Sequence, residues 1–360
     1  MAVVVSRIKV RLGIAAAALG LGVTLGACHS QVENVPLSDQ NIYFSDKFYD
    51  VKALSPTRAL IVGYGGKMLA TDDGGTSFAR IDGGTDLALY KIAAVGNRLW
   101  VVGQKGLILH SADGGKTWQK QDSGTKVYLF SVYFLNESRG FAVGDRSTLA
   151  ETSDGGQTWQ ARQVALAPQD SESEMALAMQ DPIFYDVRFT DERNGWISGE
   201  FGQLLRTIDG GQTWTARQNT LMTPESGIVD AMNLPTFFGQ FVINDREALA
   251  AGLDGRIART RDGGATWRFE PMKLAFPLAD PLYQPYVTAD GTAWAVGAAG
   301  EVVRLPAGQT EWTRADLGMP VYTWLRSVDF ADAQNGWLVG GYGTILRSED
   351  GGKSWKVCLG

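Results

Sequence analysis

The chain has 360 residues, 44 of them glycine, and a formal net charge of −6. A chain this acidic lacks the clustered lysines and arginines that neutralise phosphates, which argues against a nucleic-acid partner. With only His29 and His110, it offers neither a Ser-His-Asp relay nor a multi-histidine metal site, and its two cysteines, Cys28 and Cys358, predict no disulfide framework.

The first element in chain order is a leader. Arg7, Lys9 and Arg11 form a basic stretch, and an apolar Ala/Gly/Leu-rich run follows from Leu12 to Leu25, the anatomy of a secretory signal. It ends in Leu25-Gly26-Ala27-Cys28, which resembles the lipobox of bacterial lipoproteins. There the cysteine is acylated and the preceding peptide is cut away. The resemblance implies a signal peptide over 1–27, lipidation at Cys28 and a linker over 28–40. The alternatives are an ordinary secretory signal with an incidental cysteine, or a short N-terminal membrane anchor. Loss of the three basic residues takes the formal charge from −6 to −9. His29 after the cysteine, in place of Asp, implies passage to the outer membrane of a Gram-negative bacterium. The expected location is therefore periplasm-facing and lipid-anchored, since two or more acyl chains anchor stably.

The remainder, 41–360, reads as one repeat array. A box recurs at Thr71–Phe78, Ser111–Trp118, Thr152–Trp159, Thr207–Trp214, Thr260–Trp267 and Ser348–Trp355, with aspartates at Asp73, Asp113, Asp154, Asp209, Asp262 and Asp350. A worn copy at Arg304–Trp312 keeps only the tryptophan. In step with it, a glycine closes an apolar strand at Gly63, Gly103, Gly144, Gly199, Gly252, Gly297 and Gly340, each ten residues before its box aspartate or, in the worn copy, before Ala307. The glycines lie 40, 41, 55, 53, 45 and 43 residues apart, the size of a four-stranded propeller blade. Period-2 patterning in the last repeat predicts strands at Leu325–Phe330, Gly336–Gly340 and Thr344–Ser348, with the box making the next turn and Trp355 opening the fourth strand. The expected fold is all-β, a seven-bladed β-propeller of four-stranded blades. Only Glu172–Met179 has a helical look. The box itself reads as structural: its glycines supply positive φ, its Asp and Ser/Thr side chains accept turn N–H groups, and its tryptophan packs between blades. Ring closure stays open, because the stretch around Ile42–Phe44 and the stretch Trp355–Leu359 both offer an outer strand for the last blade.

The unit Gly-Trp-x-Val-Gly-x-x-Gly-x-Ile/Leu-x-x-Thr/Ser-x-Asp-Gly-Gly-x-Thr-Trp, clearest at Gly336–Trp355 and Gly195–Trp214, resembles Asp-box repeat proteins. Among them it is most similar to the photosystem II assembly and stability factor family of cyanobacteria and plants. The resemblance covers about Phe48 to the C-terminus and strongly implies the propeller. It implies function only weakly, because one fold hosts many functions. Family members are lumenal, chaperone-like scaffolds that hold a membrane-protein precursor during assembly. For this chain the resemblance implies a non-enzymatic protein that binds a membrane-protein client or envelope complex, with no cofactor and no metal.

A docking site is expected where the innermost strands begin. Tyr49, Phe130, Tyr185, Phe238 and Tyr283 each stand fourteen residues before their glycine, Tyr90 stands thirteen before its own, and Trp324 precedes Arg326 at that position in the last repeat. These eight residues predict an aromatic rim at the channel mouth. The bland alternative is that they fill the wedge between blades. Two long links, Gln160–Ile183 and Ala216–Phe237, open on the same face. The first is acidic with methionines (Asp170, Glu172, Glu174, Met175, Met179, Asp181), the second carries Met222, Met232 and Phe237, and both are candidates to pack over the opening.

The enzymatic alternative is a sialidase-like glycoside hydrolase, which needs paired carboxylates or a Tyr/Glu pair, and an arginine clamp for sialic acid. Asp186, Asp230, Asp254 and Asp329 are available, but nothing in the repeat singles out two of them. No phosphate-cradling motif is present. The third reading is a purely structural envelope scaffold.

Overall fold

The computed structural model describes residues 41–165 and 181–358. Seven four-stranded antiparallel sheets follow one another along the chain, each with its strands in sequence order from the innermost to the outermost. The innermost strands are Phe48–Ala53, Leu89–Val95, Leu129–Phe134, Phe184–Phe189, Phe237–Val242, Leu282–Val287 and Leu325–Phe330. The second strand of every blade ends on the glycine marker read from the sequence and, from three residues before that glycine to the glycine itself, is fully buried. This is why the second strands read as continuous apolar runs, not as alternating ones. Among the described residues helical structure is confined to short 3-10 turns, and no helix is long and apolar enough to cross a membrane.

The core lies between the sheets, in seven clusters that each draw on two neighbouring blades. Between blades 2 and 3, Trp100 stacks on Phe134 with centroids 3.5 Å apart, and the box residue Trp159 meets the edge of Phe134. Trp196 and Trp267 make the same T-shaped junction between blades 4 and 5, and Trp294 and Trp355 between blades 6 and 7. Trp312 of the worn box is as fully buried as these, whereas Trp118 is half-buried.

The boxes hold the opposite face together. In the third, Thr158 donates its hydroxyl to Asp154 Oδ2 (2.6 Å) and its N–H to Asp154 Oδ1 (2.9 Å), and the Gly156 N–H is taken by Thr152 Oγ1 (2.9 Å). Gly155 and Gly156 both have positive φ (77° and 89°), a conformation glycine adopts without strain. The Gly155 N–H then reaches the Ser138 carbonyl in the first hairpin of the same blade (2.9 Å). The box therefore acts as a turn clamp.

Ring closure falls to the C-terminal segment. Lys356–Val357, immediately after Trp355, is the outer strand of blade 7, and Ile42–Phe44 joins no sheet. Blades 7 and 1 meet instead through side chains: Lys52 pairs with Asp329 (2.8 Å), the Ala53 N–H donates to the same carboxylate (2.9 Å), and Cys358 packs with Phe78 and Trp337. Cys358 is free and buried, and burial pushes its thiol up to about 11.

Candidate docking site at the mouth of the propeller

Each innermost strand begins with a β-bulge. Phe48 pairs with Gly63 and Asp50 with Val62, so Tyr49 between them has no partner across the ladder. The same irregularity isolates Tyr90, Phe130, Tyr185, Phe238, Tyr283 and Arg326. A bulge re-aims the side chain of its extra residue, and here all seven converge on the central opening. Blade 2 is one residue shorter because its first hairpin closes at Val95–Arg98 around a two-residue turn, which accounts for the spacing of thirteen at Tyr90.

The rings form a nearly closed circuit. Centroid separations run 5.4 Å for Tyr49–Tyr90, 5.2 Å for Tyr90–Phe130, 5.4 Å for Phe130–Tyr185, 5.2 Å for Tyr185–Phe238 and 5.6 Å for Phe238–Tyr283. The Arg326 guanidinium lies over Tyr283 at 4.9 Å, and Trp324 stacks on Tyr49 at 5.7 Å to complete the turn. These eight residues, all half-buried, line a mouth of about 300 Å³. Burial among the rings pushes Tyr90 and Tyr185 up to about 12, so their hydroxyls are neutral hydrogen-bonding groups at any ordinary pH. Among the described residues Arg326 has no ion-pair partner and no acceptor for its N–H groups, and burial lowers its pKa.

A polar floor that sequence reasoning did not assemble lies directly beneath. Asp50, 2 % exposed, accepts from Ser327 Oγ (2.6 Å), Lys91 Nζ (3.1 Å) and the Ile92 N–H (2.8 Å). Asp186 accepts from Ser131 Oγ (2.6 Å), the Gln240 N–H (3.1 Å) and Arg188 Nε (3.3 Å). Each carboxylate thus ties three consecutive blades. The available signal was positional, since these residues occupy the site immediately after each rim residue. The space between floor and rim is only about 20 Å³, so the mouth is a shallow dish.

The candidate carboxylates do not assemble into a pair. Asp186 and Asp329 are committed to the bonds above, Asp230 is exposed in the long link, and Asp254 is exposed at a hairpin tip with φ of 55°. Among the described residues no cluster of three His, Cys, Asp or Glu side chains is arranged to hold a metal.

Of the two long links, only the second can be placed in full. Residues 166–180, with the acidic methionine segment and the helical stretch, lie outside the described residues, as does Cys28; Asp181 is exposed. The second link does not roof the opening. Leu221, Ile228 and Leu234 are buried on the flank of blades 4 and 5, with Met222 packed against the same cluster, and Thr220 Oγ1 accepts the Trp267 N–H (2.8 Å). Met232 is exposed, and Phe237 is buried as the first residue of its strand. What surrounds the mouth is a wider apolar surface. Among the exposed large apolar side chains of the described residues, Tyr128, Phe276 and Tyr322 lie in interblade links, Tyr64, Leu253 and Tyr342 at the turns that follow second strands, and Phe44 in the segment before the first strand. Phe44 and Tyr342, stacked at 4.5 Å, are part of it.

Fold and site together define a propeller with a single aromatic, mono-cationic mouth and no assembled catalytic set among its described residues. Residues 29–128, 118–180, 169–234 and 305–358, more than half of the chain, match the family described as photosynthesis system II assembly factor YCF48, and the chain belongs to that family. It is 29% identical over 202 residues to the photosystem II assembly lipoprotein Ycf48 of Synechococcus sp. (strain CC9902), covering 46% of this chain and 59% of that protein. The chain spans about half the length of the curated relatives it matches. Among solved structures it is similar in fold to YCF48 bound to D1 peptide (17% identity, TM-score 0.63, 86% of this chain and 93% of that one). It is also similar to the GH74 xyloglucanase of Xanthomonas campestris (13% identity, TM-score 0.68, 88% of this chain and 55% of that one). At these identities the structural likenesses establish the fold alone.

Proposed function

We propose that the chain is a non-enzymatic assembly factor that holds a polypeptide segment of a membrane-protein client at its mouth, on the face carrying Tyr49, Tyr90, Phe130, Tyr185, Phe238, Tyr283, Trp324 and Arg326. The observation that carries this is the aromatic circuit interrupted by one arginine without an anionic partner. Such a surface binds apolar and aromatic side chains by stacking and one carboxylate by a charge-assisted bond. The relatives' names support the reading, since they are photosystem II assembly proteins and one solved relative is bound to D1 peptide. The glycosidase reading has the GH74 likeness in fold, but among the described residues no two of the candidate carboxylates pair across the dish.

Residues 1–27 are proposed as a lipoprotein signal, Cys28 as the acylated residue, 28–40 as the tether and 41–360 as the binding domain. The name "assembly lipoprotein" borne by relatives supports the anchor. The proposed location is the periplasmic side of the envelope, in the outer membrane. The test is affinity purification from membranes after in vivo crosslinking, comparing wild type with Tyr185→Ala/Arg326→Gln. Recovery of a membrane-complex subunit that the double variant loses is the expected result. Hydrolysis of a glycoside panel with no client retained would overturn the proposal.

A further inference from the structure

In every blade the innermost strand begins, and the second strand ends, at the mouth: Phe48 pairs with Gly63 and Leu325 with Gly340. The turn after the second strand and the segment leading into the innermost strand therefore lie on one face, and the boxes on the opposite one. The chain enters the propeller on the mouth face, where the segment 42–47 is pinned to the turns of blades 7 and 1. The Gly343 N–H donates to the Asp46 carbonyl and the Tyr64 N–H to the Lys47 carbonyl, both at 2.9 Å, and Lys67 pairs with the Asp46 carboxylate at 3.0 Å.

Around this entry the face is aromatic and basic. Phe44, 75 % exposed, stacks on the exposed Tyr342, Lys47 lies over the exposed Tyr64 ring at 5.3 Å, and Tyr322 before blade 7 is 86 % exposed. Blades 2 and 3 present the exposed Lys105 and Arg146 at the tips of the same turn. On the opposite face the box turns present carboxylates, the exposed Asp73 and Asp262 among them, and Ile208 is their one exposed large apolar side chain among the described residues. Exposed aromatic rings beside cations suit the headgroup layer of a bilayer, where the rings fill the interface and Lys and Arg meet lipid phosphates.

We infer that the mouth face lies against an anionic phospholipid bilayer, with Phe44, Tyr64, Tyr322 and Tyr342 in the headgroup layer and Lys47, Lys105 and Arg146 on its phosphates. The occupant follows from where the chain runs. Residues 28–40 span at most about 45 Å when fully extended, so the acyl anchor proposed at Cys28 keeps the bilayer within that reach of Ile42, on this face. The orientation rests on that anchor. Acyl chains combined with a basic contact attach a protein more firmly than one chain alone. The dish then opens toward the membrane, and the box carboxylates point away from its negative surface.

The test uses the full chain reconstituted into protein-free vesicles of phosphatidylcholine and phosphatidylglycerol that carry a trace of lipid with a headgroup nitroxide. A fluorophore is attached on the mouth face through Tyr322→Cys or on the box face through Ile208→Cys, with the labelled wild type as blank. The mouth label should be quenched severalfold more than the box label, and less so in phosphatidylcholine alone. Lys105→Glu/Arg146→Glu, both at exposed turn tips, should lower the mouth signal severalfold, since each cation near an anionic surface strengthens partition about fivefold. Phe44→Ser/Tyr64→Ser should lower it through the aromatic contacts. Equal quenching of the two labels overturns the inference, as does a mouth label shielded only in native membranes, which would make the occupant a protein. Flotation read in parallel separates the two readings: a chain that does not float has lost the anchor as well, and one that floats with equally quenched labels has lost only the face.

Discussion

The carbonyl oxygen of Tyr128 lies only 1.8 Å from where a β-carbon on Gly144 would stand. The same approach recurs in every blade, between the marker glycine and the carbonyl just before the innermost strand, from 2.0 Å at Gly340 and Trp324 to 2.4 Å at Gly199 and Ile183. Backbone φ is extended at these glycines, −164° at both Gly63 and Gly103, so space and not torsional freedom demands glycine. The bulge that aims a rim residue inward is what pushes the carbonyl into that space.

Gly144→Ala is therefore expected to disturb the rim as well as the core. It should cost about 1–3 kcal/mol, the range of overpacking in a close-packed site. It should also displace Phe130, which thermal melts together with mouth-binding measurements would reveal. Alanine tolerated without loss of either would remove the proposed coupling between marker and bulge.

Much of this was legible in the sequence, for a physical reason. A box needs two glycines with positive φ and an acceptor at fixed spacing, and the marker needs a hydrogen in place of a methyl group, so both leave invariant traces at ten-residue separation. Six of the eight rim residues stand fourteen residues before their glycine because the bulge keeps that register, Tyr90 stands thirteen before its own because its hairpin is one residue shorter, and Trp324 lies two residues before the bulge at Arg326. The floor was missed because Asp50, Lys91, Ser131 and Asp186 share a position but no chemistry. Their complementarity exists only between blades. The link 217–236 was misplaced because its anchors, Leu221, Ile228 and Leu234, look like any loop hydrophobics until the flank of blades 4 and 5 is present to bury them.

The mouth should remain uncharged on its tyrosines far into alkali. Tyr90 and Tyr185, pushed up to about 12 by burial, favour the neutral form in the folded chain relative to an unfolded value of 10.0. Their contribution to stability is complete below pH 10 and lost as pH rises toward 12. An ultraviolet tyrosinate titration of wild type against Tyr90→Phe/Tyr185→Phe should lose a late component near 12 in the variant, while the still later one of Tyr286, raised further by burial, remains. Removal of an early component instead would contradict the burial argument.

The boxes set the acid limit in the opposite sense. Hydroxyl donors, first among them Ser77, Thr158, Thr213 and Ser354, hold Asp73, Asp154, Asp209 and Asp350 at about 2, below the usual 3.8. A depressed folded value stabilises above the unfolded pKa and is lost as pH falls through the folded one. The melting temperature should drop between pH 4 and pH 2, and Thr158→Val, which removes a donor from Asp154 and lets its folded pKa rise toward the unfolded one, should lower the melting temperature at neutral pH and make the acid decline smaller. A variant with an unchanged acid profile would show that the clamp does not carry the acid limb.

Arg326 should matter for binding more than for folding. Its guanidinium touches Tyr283 but satisfies no buried acceptor, so Arg326→Gln removes a desolvation cost along with one ring contact and should leave the unfolding free energy within about 0.5 kcal/mol of wild type. Client crosslinking, by contrast, should fall severalfold or more. A large stability loss with binding intact would make Arg326 a seal of the seventh wedge and not a docking group.

Asp186 should behave in the reverse way. Its carboxylate is 3 % exposed and accepts from Ser131 of blade 3, Arg188 and the Val187 N–H of its own blade and the Gln240 N–H of blade 5. Asp186→Ala leaves the Arg188 guanidinium beside an empty site with its nearest anion gone, and strands a buried serine hydroxyl and two backbone donors. Breaking a buried pair by removing one partner costs about 3–5 kcal/mol, most of it from the uncompensated charge left behind. The double variant Asp186→Leu/Arg188→Met removes that charge and should recover part of the loss, as two apolar groups of similar volume need no partner. Measured by denaturant unfolding, a single-variant loss under about 1 kcal/mol would mean that water already reaches the floor through the mouth. A double variant no better than the single would assign the energy to the hydrogen bonds from Ser131, Val187 and Gln240, two of which span blades, and not to the ion pair.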